Sequence, residues 1–437
     1  MKLKLMIKVL DSTKKNFNSY FDAIIKRRKN RTKKISSTVR KIVEDVKKNG
    51  DKALLKYKRH SNDNSSIIPN PKKIKKAIAK LDPSVKRAIN VASARVFKWH
   101  SLQKVKNINY TDRLGNNLKY IYKKISKIAC YVPGSSVSYP STLLMAVLPS
   151  IVAGCKHIIV LNPGHNGVHN PAVLYAVHKL NITHKLNIKV FTCGGSAAIA
   201  AAAFGTKKIP KVDKIVGPGS DWVTLAKKEV SDVVGIDGLH GPSEILIVAD
   251  KYCNPEWLAS DLLAQSEHSD NVLSILLSKN KNFIEKVKIS IANQLKNLER
   301  KSTIKKSLKT NGMLVYVPSD KKIIEIVNKV GPEHLSISSK NYKKIVPKIR
   351  NAGSIACGPM AIMAMTDYIS STNHILPTEG RSYYSSGLSV FDFYKKTSIV
   401  NHSKLGVEKL GKHAYTLAKF EGLDSHAESI KLRMRRK

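Results

Sequence analysis

From residue 128 onward the chain repeats one rhythm: a short apolar run, a glycine or proline, then a helix-like stretch. The runs "KHIIVLNP", "IKVFTCGG" and "VDKIVGPG" alternate with helix-like pieces such as "NPAVLYAVHKL" and "SAAIAAAAFGT". Apolar runs too short for buried helices, spaced by helices, belong in a parallel sheet whose strands are covered on both faces. A second set, "SEILIVAD", "VLSILLS" and "GMLVYVPS", is separated by "PEWLASDLLAQSEH" and by the lysine-rich "KNFIEKVKISIANQLKNLE". The rhythm predicts two α/β units on parallel-type sheets. Length agrees, because 437 residues exceed what one core holds, such cores ceasing to grow near ~250–300 residues.

The flanks read differently. In "STVRKIVEDVKKNGDKALLKYKRH" the apolar residues Val39, Ile42, Val43 and Val46 fall at helical spacing, break at Gly50 and resume after Asp51, so two amphipathic helices joined by a Gly-Asp turn are expected. Asp82 and Pro83 read as the cap and first residue of another helix. From about Leu388 the pattern turns helical again, in "HAYTLAKFEGLDSHAESIKLRM".

Five scattered cysteines without a C-x-x-C pair argue against a disulfide framework and against a cysteine zinc site. No apolar run has the roughly eighteen residues that a bilayer span needs, and the basic N-terminus lacks a secretory pattern, so a cytoplasmic location and no membrane partner are expected. Lys+Arg 77 against Asp+Glu 31 gives +46. That charge attracts phosphate without specificity. The basic runs "KRRKNRTKK", "PKKIKKAIAK", "KSTIKKSLK" and "RMRRK" are dispersed, with no aromatic recognition module beside them, and no specific nucleic-acid partner is expected.

Several segments carry chemistry-bearing residues. Gln265 and His268, three apart on a helix, share a face and could approach one ion; alone, such a pair is most often a solvated face. In "VGPEHLSI" a helix should stop at Gly331 and Pro332, leaving Glu333 and His334 in a loop, either as an acid–base pair or as a polar connection. Asp367 and His374 lie in "MTDYISSTNHILPT", which has no lysine or arginine, and Glu421 and His426 in "FEGLDSHAESI" near the C-terminus. Three glycine loops end apolar strands, "CYVPGSS", "CGGSAAIA" and "VGPGSDWV"; none is G-x-G-x-x-G, so each is only a possible anion cradle.

In this order, together with "YPSTLLMAVLPSIVAGCK", "GPSEILIVAD", "NAGSIACG" and "SSGLSVFDFYKKTSIV", these blocks closely resemble the histidinol dehydrogenase family from about Ser37 to Arg433. The resemblance implies an α/β fold of two Rossmann-like domains with small helical N- and C-terminal elements. It divides the chain into an N-terminal arm (1–31), a discontinuous metal and catalytic domain (32–129 and 243–388), an NAD-binding domain (130–242) and a C-terminal element (389–437) that reaches the partner's active site. The activity implied is oxidation of L-histidinol to L-histidine through histidinal with two NAD⁺, by a homodimer holding one Zn²⁺ per subunit. Its zinc ligands would be Gln265, His268 and Asp367 of one subunit and His426 of the other. The same residues with Ser243, His334, His374 and Glu421 would surround the substrate; His334 would act as general base, and Glu333 would activate water. Tyr131, Ala197 and Ser220 fall at dinucleotide positions. Ala197 and Ser220 depart from the family, which usually carries Gln and Asn there, and Leu239 and His240 stand where Pro and Ala are common. Losing an amide contact typically costs about 0.5–1.5 kcal/mol, so weaker NAD binding is expected. The alternatives are a relative oxidising another amino alcohol or diol, and a catalytically weakened polyanion-binding protein.

Overall fold

The structure is a computed structural model that describes residues 7–27, 35–60, 66–134, 139–370 and 372–434. The basic runs at 28–34 and 435–437 lie outside the described residues. The strands run in chain order as β1 (Lys8–Asp11), β2 (Ile108–Thr111), β3 (Asn117–Lys124), β4 (Lys127–Tyr131), β5 (His157–Leu161), β6 (Lys189–Phe191) and β7 (Lys214–Val216), then β8 (Gly235–Ile236), β9 (Glu244–Ala249), β10 (Leu273–Ser278), β11 (Gly312–Tyr316), β12 (His334–Ile337), β13 (Ser354–Cys357) and β14 (Tyr394–Asn401).

Two parallel sheets form the larger of two compact units, residues 7–103 and 126–392. The first has the order β6-β5-β4-β7-β8. Its central strand is the earliest in sequence and the order reverses between β4 and β7, which opens a crevice beyond their C-terminal ends, as in a mononucleotide-binding half. The second sheet, β1-β11-β10-β9-β12-β13, repeats that order about β9, with β1 added at the edge. Helices cover both of its faces. Leu258, Leu262 and Ile284 pack on one side and Phe21, Ile323 and Val327 on the other. The apolar strands of both sheets are buried, as the unbroken hydrophobic runs require.

The helices Ser36–Asn49 and Asp51–His60 flank Gly50 as the periodicity predicts, and they pack into the core of the five-stranded sheet beside the alanine-rich helix Gly195–Phe204. Asp82 caps Pro83–Ser101 by accepting from the Ser84 N–H at 2.6 Å. Strand β1 is an addition to an N-terminal stretch that reads as helical.

The smaller unit comprises 104–125 and 393–434. The helical expectation after Leu388 is corrected here. The stretch "YKKTSIVN" is strand β14, pairing antiparallel with β3 in a three-stranded sheet with β2, ahead of the helices Lys404–Phe420 and Asp424–Met434. Its lysines and largely exposed residues lack the apolar alternation by which a half-buried strand is recognised.

Candidate active site

A cleft of about 670 Å³ lies between the C-terminal ends of β4–β7 and the N-terminal ends of β9, β10 and β12. From the first sheet it receives Tyr131 and the turns at Pro133–Gly134, Gly194–Gly195 and Pro218–Ser220; from the second it receives Ser243, Gln265, His268, Glu333 and His334, with Asp367 and His374 closing the wall.

Gly217 makes the turn after β7 possible. Its φ is +113°, and a Cβ there would collide with the Tyr131 carbonyl oxygen. Gly195, at φ +63°, donates its N–H to the Tyr131 hydroxyl at 3.2 Å. Burial pushes the Tyr131 phenol up to about 12, so it stays protonated. Ala197 lies buried in the first turn of its helix, and Ser220 is the N-cap of Asp221–Glu229 without a side-chain cap hydrogen bond.

The helix Pro255–Ser266 begins at Asn254, whose side chain accepts from the Glu256 N–H, and buries Gln265 in its last turn. His268 lies beyond the helix end. Its N–H donates to the Gln265 carbonyl at 3.2 Å, a tightened turn that keeps it beside Gln265 in the cleft wall. Desolvation and Arg300 hold its pKa below the usual imidazole range.

The helix Asp320–Val330 ends as expected on Gly331, left-handed at φ +55°. The following residues are not a loop, however: His334 is the first residue of β12, registered between Ile245 of β9 and Ser354 of β13. Pairing on both sides fixes its backbone more firmly than a bent loop would. Glu333 Oε2 accepts the Glu244 N–H at 2.8 Å and lies 3.8 Å from His334 Nε2, which is also 3.8 Å from Asp367 Oδ1. Burial, Glu244 and Asp367 push the Glu333 carboxyl well above the usual range despite that hydrogen bond. Burial, His374 and His268 lower His334 to about 3, so its imidazole is neutral near pH 7. Burial raises Asp367 to about 7.

His374 Nδ1 is 2.7 Å from the Asp367 carbonyl, which only accepts, so this nitrogen carries the proton; Nε2, 3.0 Å from Thr142 Oγ1, is left to accept the hydroxyl proton. Thr142 and Glu244 are site residues that sequence motifs miss. Each is a polar residue inside an apolar run, "PSTLLMAVLP" and "PSEILIVA", and that interruption is their only signal.

The structure thus brings Tyr131, Ala197, Ser220, Ser243, Gln265, His268, Glu333, His334, Asp367 and His374 to one cleft. Glu421 and His426 belong to the smaller unit, where both are exposed: Glu421 follows the helix Lys404–Phe420 and His426 lies in Asp424–Met434.

A sheet of mononucleotide-binding order facing a buried imidazole–carboxyl pair across one cleft defines the class, a two-sheet α/β enzyme with acid–base groups set opposite a nucleotide-type crevice. The histidinol dehydrogenase family model matches residues 25–434. Histidinol dehydrogenase of Pelagibacter ubique is 54% identical over 433 residues, covering 99% of this chain and 100% of that protein. The Nitrosomonas europaea histidinol dehydrogenase is 38% identical over 98% of this chain and its own full length. The crystal structure of the Elizabethkingia anophelis histidinol dehydrogenase superposes with a TM-score of 0.91 at 32% identity, covering 98% of each chain. The chain belongs to the histidinol dehydrogenase family.

Proposed function

We propose that this protein oxidises L-histidinol to L-histidine by way of histidinal, the closing reaction of histidine biosynthesis, with two NAD⁺ used in sequence and one zinc ion per site. The observation that carries the reading is His334: a buried, neutral imidazole at the cleft floor, flanked by Glu333 and Asp367.

The residues fit a metal. Asp367 Oδ1 is buried with no hydrogen-bond partner among the described residues. Gln265, His268 and Asp367 offer an amide oxygen, an imidazole and a carboxylate, a donor set that suits a borderline cation. Among the described residues no three His, Cys, Asp or Glu side chains are gathered to hold a metal. A metal held there would take the Gln265 amide beside His268 and Asp367, with the partner's His426 proposed as a further donor. Zinc held there would orient the substrate's imidazole and amino groups.

This chain's residues then do the proton work. His334 Nε2 takes the hydroxyl proton as hydride leaves the carbinol carbon for the nicotinamide. Glu333, its carboxyl made more basic by burial and anchored by the Glu244 N–H, takes a proton from the water that adds to the aldehyde. Once its first proton has passed to solvent, His334 takes the hydroxyl proton of the hydrated aldehyde as the second hydride leaves. His374, fixed by Thr142 and the Asp367 carbonyl, and Ser243 border the substrate.

The smaller unit supports a homodimer in which Glu421 and His426 serve the partner's cleft. Its helices and the turn between them leave Leu417, Phe420, Leu423 and Leu432 exposed, Phe420 to 91%. Exposed apolar side chains of this size are what a second chain would cover, which favours the dimer reading. A cytoplasmic setting belongs to the same reading; among the described residues no helix is long and apolar enough to cross a membrane.

The test is histidinol-dependent NADH formation before and after chelation, with NAD⁺ titrated over a wide range. Activity that disappears on chelation and returns with zinc supports the proposal. Zinc-loaded protein that forms no NADH at any NAD⁺ concentration rejects it, and a panel of amino alcohols and diols tests the alternative substrates.

A further inference from the structure

The turn Gly217–Gly219 is held from behind the cleft wall by charged side chains that never reach the cleft surface. Asp237 Oδ2 accepts the Gly217 N–H at 2.7 Å, and Lys227 Nζ donates to the Gly217 carbonyl at 3.0 Å. Lys227 and Asp237 form an ion pair, each side chain only 1% exposed. His240 extends this network. Its Nε2 lies 3.2 Å from Asp237 Oδ2, its Nδ1 lies 2.9 Å from the Leu376 carbonyl, and its own carbonyl accepts from the Thr224 hydroxyl.

Leu376 is two residues from His374, in the strap Asn373–Glu379. Asn373 anchors that strap by donating to the Met145 carbonyl at 2.7 Å, and the Gly241 N–H donates to Thr378 Oγ1 at 2.5 Å. A continuous path of hydrogen bonds thus runs from the Gly217 turn of the first sheet, through Asp237 and His240, to the strap that carries His374. The two ring nitrogens of His240 thus face two oxygens, a carboxylate on one side and a backbone carbonyl on the other.

We propose that His240 is a positioning residue for the dinucleotide, a brace that presets the Gly217–Gly219 turn against the His374 strap. The proposal rests on the reading of this cleft as an NAD site. Neither Ala197 nor Ser220 offers a side-chain amide, so backbone groups of the glycine turns must do more of the holding. Backbone donors bind well only when their geometry is fixed before the ligand arrives.

The test uses the full-length zinc-loaded protein. Dissociation constants for NADH and, separately, for histidinol are measured by calorimetry in the wild type, H240A and H240N, with a melting temperature for each. H240A loses both arms, and NADH affinity is expected to fall about tenfold, as for the combined loss of two ordinary hydrogen bonds, while histidinol affinity moves less than twofold. H240N keeps an amide near the Nδ1 position and with it the Leu376 arm, and is expected to fall between H240A and the wild type. A folded H240A that binds NADH within twofold of the wild type overturns the proposal, as does an equal loss of affinity for both ligands. If H240A does not fold, H240N decides: NADH affinity equal to wild type rejects the brace. A wild type that binds histidinol but no NADH rejects the dinucleotide reading itself.

Discussion

The two parallel sheets of the larger unit share one strand order and use opposite ends of it. In the first, the cleft takes the C-terminal side, where β4 and β7 part and the glycine turns follow. In the second, with the same reversal between β9 and β12, the cleft takes the N-terminal side, where Glu244, Glu333 and His334 begin or precede their strands. Topology alone names a crevice for each sheet, but only side-chain chemistry says which end works. At the first sheet's end, open turns can receive backbone-bound anions. At the second sheet's start, paired strands hold buried titratable groups rigidly, and burial drives Glu333 and Asp367 up and His334 down.

That contrast predicts unequal consequences of substitution. The largest falls on the second sheet: His334→Ala should cut turnover about 10³-fold, as removal of a general base does, while NADH binding measured by calorimetry persists. Loss of both together would erase the division between the sheets. Next comes the link between subunits. His334→Ala and His426→Ala proteins, each inactive alone, should regain about a quarter of wild-type activity after unfolding and refolding together, since half the dimers are hybrids with one intact site of two. No recovery would remove the partner's His426 from the site.

On the first sheet the effects are on stability and affinity. Burial opposes ionisation of Asp237, yet Lys227 and His240 outweigh it and hold the carboxyl well below its ordinary 3.8. A depressed carboxyl contributes stability that is complete above its unfolded-state value and is lost as pH falls through the folded-state value. Asp237→Asn should therefore cost about 3 kcal/mol in urea unfolding at pH 7, as for breaking a buried ion pair, and that cost should shrink as pH falls from 3.8 through the lower folded-state value. A cost that does not change as pH falls would contradict the charge argument. The smallest effect is a gain. Ala197→Gln with Ser220→Asn should tighten NADH binding by about 0.5–1.5 kcal/mol per restored contact, and unchanged affinity would place the dinucleotide elsewhere.

Much of this arrangement was legible in the sequence because its signals are local. Apolar runs punctuated by glycine gave the parallel strands, Asp82 and Pro83 a helix start, and Gly331 a helix end. Residues such as Glu333 and His334 stood out as a pair, although their place at the head of β12 depended on Ile245 and Ser354, far off in the chain. Strand β14 escaped because its lysine-rich residues are largely exposed and carry no buried stripe. Thr142, Glu244 and the Lys227–Asp237–His240 network escaped because their meaning lies in partners that only folding supplies, such as His374, Glu333 and Leu376.

The most direct measurement counts the NADH formed per histidinol consumed by zinc-loaded protein at saturating NAD⁺. A single cleft that holds the aldehyde between two oxidations predicts two NADH and one histidine for each histidinol. One NADH with aldehyde released, or none, would contradict it.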